Sequence, residues 1–286
     1  MVSVADRIDL VESLVEAGVE DVEIGSFVHP KWIPQMAGTE EVARGIERRE
    51  GVRYWALVPN PKGLERAAQC GIENVALFMS ATESHNQSNL NRSLSESMES
   101  LRETSALAQE EGMTIRSYIS TAFGCPFEGS VDFDVVMKIA EELLASGAEH
   151  VCLGDTVGMG SPKEVGEGCR RAVKAFGAKR VALHLHDTQG LALPNALIAF
   201  QEGVRLFDGA VGGMGGCPYA PGAAGNVASD DLINMFGQLE VETGVDLERL
   251  TEVTRWLKEE LGFRVGARYF DYWRAKKAAS EGREDE

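Results

Sequence analysis

Two histidines, His184 and His186, stand two residues apart in the run Val-Ala-Leu-His-Leu-His-Asp. The apolar residues before them predict a β-strand, on which residues two apart point to the same face. Both imidazoles can therefore aim at one point, and two imidazoles with oxygen donors form a plausible site for a divalent metal. The alternative interpretation is a pair of hydrogen-bonded histidines in a protein core.

A glycine-rich loop follows the next predicted strand, with six glycines between Gly212 and Asn226. Such a loop can approach a ligand closely or move as a lid. Cys217 near its tip is a candidate acid or base, and Asn226 is a candidate oxygen ligand. Cys217 could instead be an inert buried thiol, and Asn226 could cap a helix predicted over Val227–Phe236. The cap and the ligand roles of Asn226 are compatible.

Strand-like and helix-like runs alternate along almost the whole chain. Each predicted strand is a short β-branched or apolar run, as expected in a parallel sheet buried on both faces. Amphipathic runs such as 134–145 and 162–176 predict helices, and glycine follows several helix ends. Repeated β-then-α order indicates parallel strands with right-handed crossovers. The predicted strands are 19–26, 52–59, 72–80, 113–122, 150–156, 180–186 and 206–213.

The number of predicted strands is seven, whereas a closed (β/α)₈ barrel needs eight. The chain also opens into a predicted helix over 3–17 instead of a strand. We therefore expect an α/β fold, a (β/α)₈ TIM barrel whose first strand is missing from this chain and encoded upstream of Met1. The alternative is an open, doubly wound sheet of seven strands. The barrel domain would span residues 1–274, and residues 275–286 would form a polar, frayed tail.

The composition is that of an ordinary globular protein, with 44% hydrophobic and 26% charged residues among 286. A formal charge of −17 argues against nucleic acid as a partner. No apolar run is long enough to predict a membrane span. The five cysteines show no CxxC spacing, which favours reduced thiols inside a cell. We expect a cytoplasmic protein, with any targeting segment lying upstream of Met1.

Six stretches together resemble the 3-hydroxy-3-methylglutaryl-CoA lyase family, in the same order along residues 10–262. Two of them are Ser-Phe-Val-His-Pro-Lys-Trp-Ile-Pro-Gln-Met at 26–36 and Gly-Cys-Pro-Tyr-Ala-Pro-Gly-Ala-Ala-Gly-Asn at 216–226. The most specific sequences are Pro-Lys-Trp-Ile-Pro-Gln-Met at 30–36 and Gly-Gly-Cys-Pro-Tyr-Ala at 215–220. They separate this family from synthase and aldolase relatives, which share the barrel and the histidine pair. The others are Ser-His-Asn at 84–86, Gly-Cys-Pro-Phe-Glu-Gly at 124–129, Gly-Asp-Thr-Val-Gly at 154–158 and His-Leu-His-Asp-Thr at 184–188.

The resemblance implies retro-Claisen cleavage of 3-hydroxy-3-methylglutaryl-CoA into acetyl-CoA and acetoacetate, as in leucine degradation and ketone-body formation. It implies that His184, His186 and Asn226 bind Mg²⁺ or Mn²⁺, which would chelate the substrate's hydroxyl and carboxylate. His184 is also a candidate base for the hydroxyl proton, and Cys217 is a candidate proton donor to the departing carbon. The expected partner is a small acyl-CoA substrate, and a homodimer is expected only from the resemblance.

Further positions match the family pattern. Glu23 and Asp155 would be orienting carboxylates, or else partners in structural salt bridges. Arg116 and Tyr118, two apart on one strand, would face the acyl end of the substrate, or else fill the barrel interior. Exposed residues often only shape turns, and a carboxylate early in a helix often only complements the helix dipole. With those alternatives, the weaker candidates are the substrate contacts Ser26 and Asn89 and the loop contact Asp230.

The family pattern also has an Arg-Asp-Gly stretch on its first strand, which has no counterpart in residues 1–286. Its aspartate is a metal ligand and its arginine stabilises the enolate. Removing one preorganised oxyanion donor typically costs roughly 100- to 1,000-fold in rate. We therefore expect little lyase activity from this chain, and two exposed sheet edges. The alternatives are a related aldolase or acyl-CoA lyase acting on another 3-hydroxy acid, and a non-catalytic remnant that retains the pocket.

Overall fold

A computed structural model describes residues 2–29, 31, 33–215 and 225–284. Strands and helices alternate along them. The strands are β1 Asp21–Ser26, β2 Arg53–Leu57, β3 Asn74–Ser80, β4 Thr114–Ser120, β5 His150–Asp155, β6 Val181–Leu185 and β7 Leu206–Asp208. The helices are α1 Val4–Glu16, α2 Thr39–Gly45, α3 Pro61–Gln69, α4 Glu83–Leu90, α5 Leu94–Glu110, α6 Phe133–Ala145, α7 Pro162–Phe176, α8 Ala192–Gln201, α9 Ser229–Gln238, α10 Leu247–Glu259 and α11 Arg268–Glu284.

The local sequence explains where helices begin. Ser3 accepts a hydrogen bond from the backbone amide of Asp6 at 3.0 Å, and the Asp6 carboxylate accepts one from the amide of Ser3 at 3.3 Å. Ser161 and Glu164 form the same reciprocal pair around Pro162, the first residue of α7. Because this arrangement satisfies amides that have no partner inside the helix, the side chains themselves set both helix starts.

The seven strands form one parallel sheet in sequential order, β1 to β7. Each strand therefore pairs with the strands before and after it along the chain. A doubly wound sheet would reverse its strand order at a switch point, and this sheet has none. The order supports the barrel prediction over the open alternative. The interior strand β5 is buried along its full length, as expected when helices cover the outside of a parallel barrel.

Side-chain contacts show that the sheet curls on itself. Arg116 on β4 reaches Glu23 on β1 with 2.8 Å between Nη2 and Oε2. Tyr118 on β4 reaches Asp208 on β7 with 2.5 Å between the phenol oxygen and Oδ2. In a flat sheet, β4 would lie about 14 Å from both edge strands at the usual strand spacing. Both contacts therefore need a strongly curved sheet with a shared interior.

An open seam separates the edge strands β1 and β7. Neither pairs with a further strand in the part of the chain that the structure describes. The helices outside the seam do meet, because the carbonyl of Ala17 accepts a hydrogen bond from the amide of Asp246 at 2.8 Å. The carbonyl of Glu16 likewise accepts one from the Arg249 guanidinium at 3.1 Å. Helices close the ring here, and the apolar cluster at this junction contains Ala17, Val211, Leu250, Val253 and Leu257.

All seven predicted strands occur, six of them within two residues at each end. The prediction for the last strand was wrong at its end, because β7 stops at Asp208 and Val211–Gly213 form a 3₁₀ turn. Gly212 has φ 61°, a left-handed conformation that favours glycine. A Cβ at Gly212 would also lie only 3.0 Å from Val265. Both the left-handed backbone at Gly212 and the lack of room for a side chain there prevent the strand from continuing to Gly213.

The polar tail differs from its prediction. α11 runs through the predicted boundary at residue 275 and continues to Glu284, so the expectation of a frayed segment was wrong that far. The helix is held by Phe270 and Trp273, which are both buried, and Trp273 donates a hydrogen bond of 2.8 Å to Glu248. None of the helices described is long and apolar enough to cross a bilayer.

Candidate active site

A cavity of about 1000 Å³ lies inside the curled sheet and extends into the seam between β1 and β7. This volume is at the upper end for sites that bind small molecules. Polar side chains from four strands line the cavity, and the loop after β7 adds an amide. The polar residues that concern the site are Glu23, Arg116, Tyr118, His184, His186, Asp208 and Asn226.

The backbone places Asn226 beside the two histidines. His186 follows the last residue of β6 and forms an isolated β-bridge with Asn226. Backbone hydrogen bonds of 2.8 and 3.0 Å on either side of the bridge fix it. The ring centroids of His184 and His186 are 5.3 Å apart. The structure therefore brings together, at one end of the cavity, the three residues predicted as metal ligands.

The side-chain amide of Asn226 has a defined orientation. Its Nδ2 donates a hydrogen bond of 2.9 Å to the carbonyl of Met214, which leaves Oδ1 as an acceptor. The helix-cap alternative for this residue was wrong. The N-cap of α9 is Ala228, and no side-chain hydrogen bond caps that helix start in the described structure.

The available donors fit a divalent metal. Nδ1 of both rings, His184 and His186, is buried and has no hydrogen-bond partner within the described residues, so Nε2 is the nitrogen of each ring that is open to the cavity. Burial lowers the pKa of His186 to about 4, so its imidazole is neutral, as a metal ligand must be. Among the described residues, no cluster of three His, Cys, Asp or Glu side chains forms a metal site. The available third donor is therefore the amide oxygen of Asn226.

Arg116 and Glu23 form an ion pair across the cavity. Arg116 is only 6% exposed, and its guanidinium also lies over the ring of Trp55, 4.5 Å from the centroid. Burial raises the pKa of the Glu23 carboxyl, and the charge of Arg116 opposes that rise. Glu23 is thus a salt-bridge partner, which was one of its two predicted roles.

Asp208, the last residue of β7, was not among the residues predicted from the sequence. Its Oδ2 accepts the hydrogen bond from Tyr118 and lies 3.6 Å from Nδ1 of His184. Burial alone would raise the pKa of Asp208, but His184, Arg116 and Tyr118 hold it well below its usual range. Burial also keeps the pKa of Tyr118 well above its usual value, so the phenol remains a donor. A carboxylate at the carboxyl end of a barrel strand is a signal that could have identified Asp208.

Three of the predicted catalytic or substrate-binding residues lie outside the cavity lining. Asp155 is fully buried, and its carboxylate accepts backbone amides from the turn after β5 at 2.9 and 3.1 Å. Burial raises the pKa of this carboxyl. Ser26 is buried at the end of β1, where its hydroxyl accepts a backbone amide at 3.2 Å. Asn89 is exposed on α4.

Asp230 anchors the start of the glycine-rich loop. It lies fully buried in the first turn of α9 and accepts hydrogen bonds of 2.8 Å from the amide of Gly212 and 2.7 Å from the hydroxyl of Thr254. It is therefore both a first-turn carboxylate and a contact of the loop base. Cys217, the predicted acid or base, lies outside the described residues.

Comparisons with known proteins agree with this arrangement. The family model described as HMGL-like matches residues 1–257. Hydroxymethylglutaryl-CoA lyase YngG of Bacillus subtilis is 44% identical over 261 residues, which cover 91% of this chain and 87% of the relative. A crystal structure of the Bacillus subtilis HMG-CoA lyase superposes with a TM-score of 0.93 at 42% identity, covering 96% of this chain and 92% of that one.

Two further relatives carry different names or ligands. (R)-Citramalyl-CoA lyase of Chloroflexus aurantiacus is 42% identical over 268 residues, 90% of this chain and 84% of the relative. An HMG-CoA lyase from Acinetobacter baumannii, solved in complex with coenzyme A and 3-methylmalate, has a TM-score of 0.90 at 36% identity, covering 93% of this chain and 87% of that one. On family match, sequence identity and fold together, the chain belongs to the HMGL-like family of carbon–carbon lyases.

Proposed function

We propose that the chain cleaves 3-hydroxy-3-methylglutaryl-CoA into acetyl-CoA and acetoacetate. The observation that carries the proposal is the convergence of His184, His186 and Asn226 at one end of the cavity. The name of the Bacillus subtilis relative supports this substrate. The relative solved with coenzyme A supports an acyl-CoA thioester as the substrate class.

His184, His186 and Asn226 would hold Mg²⁺ or Mn²⁺. The bound cation supplies Lewis acidity, which lowers the pKa of the substrate's tertiary hydroxyl and orients that hydroxyl with the carboxylate. The chain's own contribution is to keep the His186 imidazole neutral and to hold the three donors together at one end of the cavity.

The reaction needs one proton to leave the hydroxyl and one to reach carbon. His184, the base expected from the resemblance, would have no free lone pair while it holds the cation, so Glu23, which also lines the cavity, is the candidate base for the first. The carbon–carbon bond then breaks, the hydroxyl carbon becomes the ketone of acetoacetate, and the electron pair forms the enolate of acetyl-CoA. Cys217 would protonate that enolate carbon.

The remaining predicted residues would bind or orient. Arg116 and Tyr118 line the cavity and would contact the acyl end of the substrate. Asp155 would act through the turn that it holds after β5. Asn89, exposed on α4, would contact a part of the substrate that extends beyond the cavity, and Ser26 would act through the loop after β1, whose amide it accepts.

We further propose that residues 1–286 alone turn over slowly. The seam leaves β1 and β7 without outer partners in the described chain, and Arg116 is already paired with Glu23. An enolate beside Arg116 would meet a guanidinium that is already paired, and one lost oxyanion donor costs roughly 100- to 1,000-fold in rate. Adding an N-terminal strand that carries Arg-Asp-Gly should therefore raise turnover. Equal rates with and without that strand would contradict this part.

Acetoacetate release tests the reaction. We expect release that requires Mg²⁺ or Mn²⁺, stops with excess chelator and is abolished by His186→Ala. Glu242→Gln is the matched control, because it removes a charge from the cavity lining on the exposed seam side. Release that persists with chelator, or no release even from the extended chain, would count against the proposal.

A second candidate is a related lyase that acts on another 3-hydroxyacyl thioester. The 42% identity to a citramalyl-CoA lyase favours keeping it. A higher kcat/KM for citramalyl-CoA than for 3-hydroxy-3-methylglutaryl-CoA would change the assignment. Substrate binding without turnover, even after extension, would instead indicate a non-catalytic remnant.

A cytoplasmic location and a homodimer remain part of the proposal. Light scattering on the purified protein checks the dimer, and cell fractionation checks the location. A monomer at micromolar concentration, or recovery with membranes, would remove the corresponding statement.

A further inference from the structure

We infer that Asp208 is a positioning residue, whose carboxylate orients His184 so that Nδ1 carries the ring proton and Nε2 is left as the donor to the cation. The inference rests on the metal site of the proposed function and deepens it. It concerns a residue outside the predicted ligand set, at the end of the shortest strand.

Strand register places the two side chains together. His184 on β6 is the direct register partner of Asp208 on β7. Partners at the same register on neighbouring parallel strands face the same side of the sheet, which here is the cavity. Oδ2 of Asp208 lies 3.6 Å from Nδ1 of His184, slightly beyond hydrogen-bond range. A small rotation of the His184 ring would close this gap.

Other side chains hold the carboxylate in place. Tyr118, from the opposite side of the barrel, donates its hydrogen bond of 2.5 Å to the same Oδ2 atom. The thiol of Cys152 on β5 lies 3.6 Å from that atom. The ring of Tyr118 also meets the His184 ring edge-on, with centroids 6.0 Å apart. The carboxylate is therefore fixed by β4 and β5 as well as by its own strand.

The chemistry of metal-bound histidine explains the consequence. A neutral imidazole has one protonated nitrogen and one with a free lone pair, and a carboxylate facing one nitrogen selects which is which. Carboxylates that accept from a ligating histidine fix its tautomer and ring orientation, and their removal costs 10- to 100-fold in metal affinity as a rule. No other described acidic side chain lies within ion-pair distance of His184.

A simpler interpretation is that Asp208 only connects β7 to β4 through its hydrogen bond with Tyr118. Three variants separate the two roles. Asp208→Ala removes the carboxylate, whereas Asp208→Asn keeps an oxygen that can accept a hydrogen bond from both partners. Tyr118→Phe removes the hydrogen bond between β4 and β7 but leaves the carboxylate beside His184. Glu242→Gln removes a charge from the same cavity lining, two residues before Gly244, which packs against Gly18 ahead of the first residue of β1.

The first measurement is the His184 tautomer, from long-range ¹⁵N–¹H spectra of histidine-labelled protein at pH 8 without metal. We expect the Nδ1–H form in the unmodified chain, in Glu242→Gln and in Tyr118→Phe, and a shift toward Nε2–H in Asp208→Ala. His184→Gln identifies the signals. An Nε2–H form in the unmodified chain, or no change in Asp208→Ala, overturns the inference.

The second measurement is Mn²⁺ affinity by calorimetry, with thermal unfolding as a check on folding. We expect Asp208→Ala to raise the Kd about 10- to 100-fold, Asp208→Asn to restore part of that loss, and Tyr118→Phe to change the Kd least. A folded Asp208→Ala that binds Mn²⁺ as tightly as the unmodified chain overturns the inference, and so does a larger loss of Mn²⁺ affinity in Tyr118→Phe. Either result would mean that Asp208 only connects β7 to β4. The tautomer result needs neither metal nor substrate, so absent turnover would overturn only the proposed function.

Discussion

The two sides of the cavity are built differently. On one side, β3 pairs with β4 through seven register positions and β5 with β6 through five. On the other side, β7 pairs with β6 through only three, and neither β1 nor β7 has an outer partner in the described chain. His184 lies on the well-paired side, whereas Glu23 and Asp208 lie on the two edges of the seam.

Buried polar side chains compensate for the missing pairing. Arg116 and Tyr118, two apart on β4, bind Glu23 on one edge strand and Asp208 on the other. β4 therefore holds both edges from across the interior. Backbone pairing therefore fixes the histidines proposed to bind the metal, whereas a few charged and hydrogen-bonded side chains fix the two edge strands.

The largest expected difference is in amide hydrogen exchange. Amides of β5 and β6 should exchange about 100- to 1,000-fold more slowly than those of β7, because β7 can open without breaking the paired strands. Exchange followed by mass spectrometry of peptides checks this. Equal protection of β5 and β7 would break the comparison.

Removing a ligand on the paired side should affect metal binding more than any change at the seam. We expect His186→Ala to weaken Mn²⁺ binding by more than about 100-fold, the upper range for a residue that only supports a ligand. Calorimetry measures the Kd, and circular dichroism should show an unchanged fold. Glu242→Gln provides the seam-side control, and an equal loss in that variant would contradict the prediction.

The buried histidine should also make stability depend on pH. Burial lowers the pKa of His186 from 6.5 to about 4, so the unfolded chain takes up a proton that the folded chain does not. The free energy of unfolding therefore keeps its full value above pH 6.5 and falls as the pH drops toward 4, by at most about 3 kcal/mol from this histidine. Urea unfolding at pH 7 and 4.5, with chelator, should show a smaller change for His186→Gln. An identical loss of stability between pH 7 and 4.5 in both proteins would show that other groups cause the pH dependence.

The smallest expected effect comes from breaking the support of β1. Arg116→Met leaves the Glu23 carboxylate without its partner and should lower the free energy of unfolding by about 2 kcal/mol, less than for a fully buried pair because Glu23 is 32% exposed. The matched control is Arg53→Met, whose ion pairs are about 40% exposed and should contribute less than about 1 kcal/mol. A larger loss for Arg53→Met would reverse the comparison.

Local signals in the sequence were enough to predict the strands, because apolar β-branched runs alternate with amphipathic helices that end in glycine. Contacts across the cavity could not be predicted from such local signals. The bond from Tyr118 to Asp208 depends on how far the sheet curls, which no local pattern encodes. Ser26 and Asn89 were chosen by resemblance, and the described chain places both outside the cavity lining. α11 was missed because Phe270 and Trp273 are few apolar residues among many charges.

The junction of α1 with α10 has a consequence for how the protein folds. The hydrogen bond from Arg249 to Glu16 joins residues 233 positions apart. A contact of such separation carries a high loop-closure entropy and raises the contact order, which slows folding. During synthesis, α1 leaves the ribosome long before its partner exists. The part of its apolar surface that packs on α10, which includes Leu10 and Ala17, must therefore wait, exposed to other chains, until almost the whole polypeptide has been made.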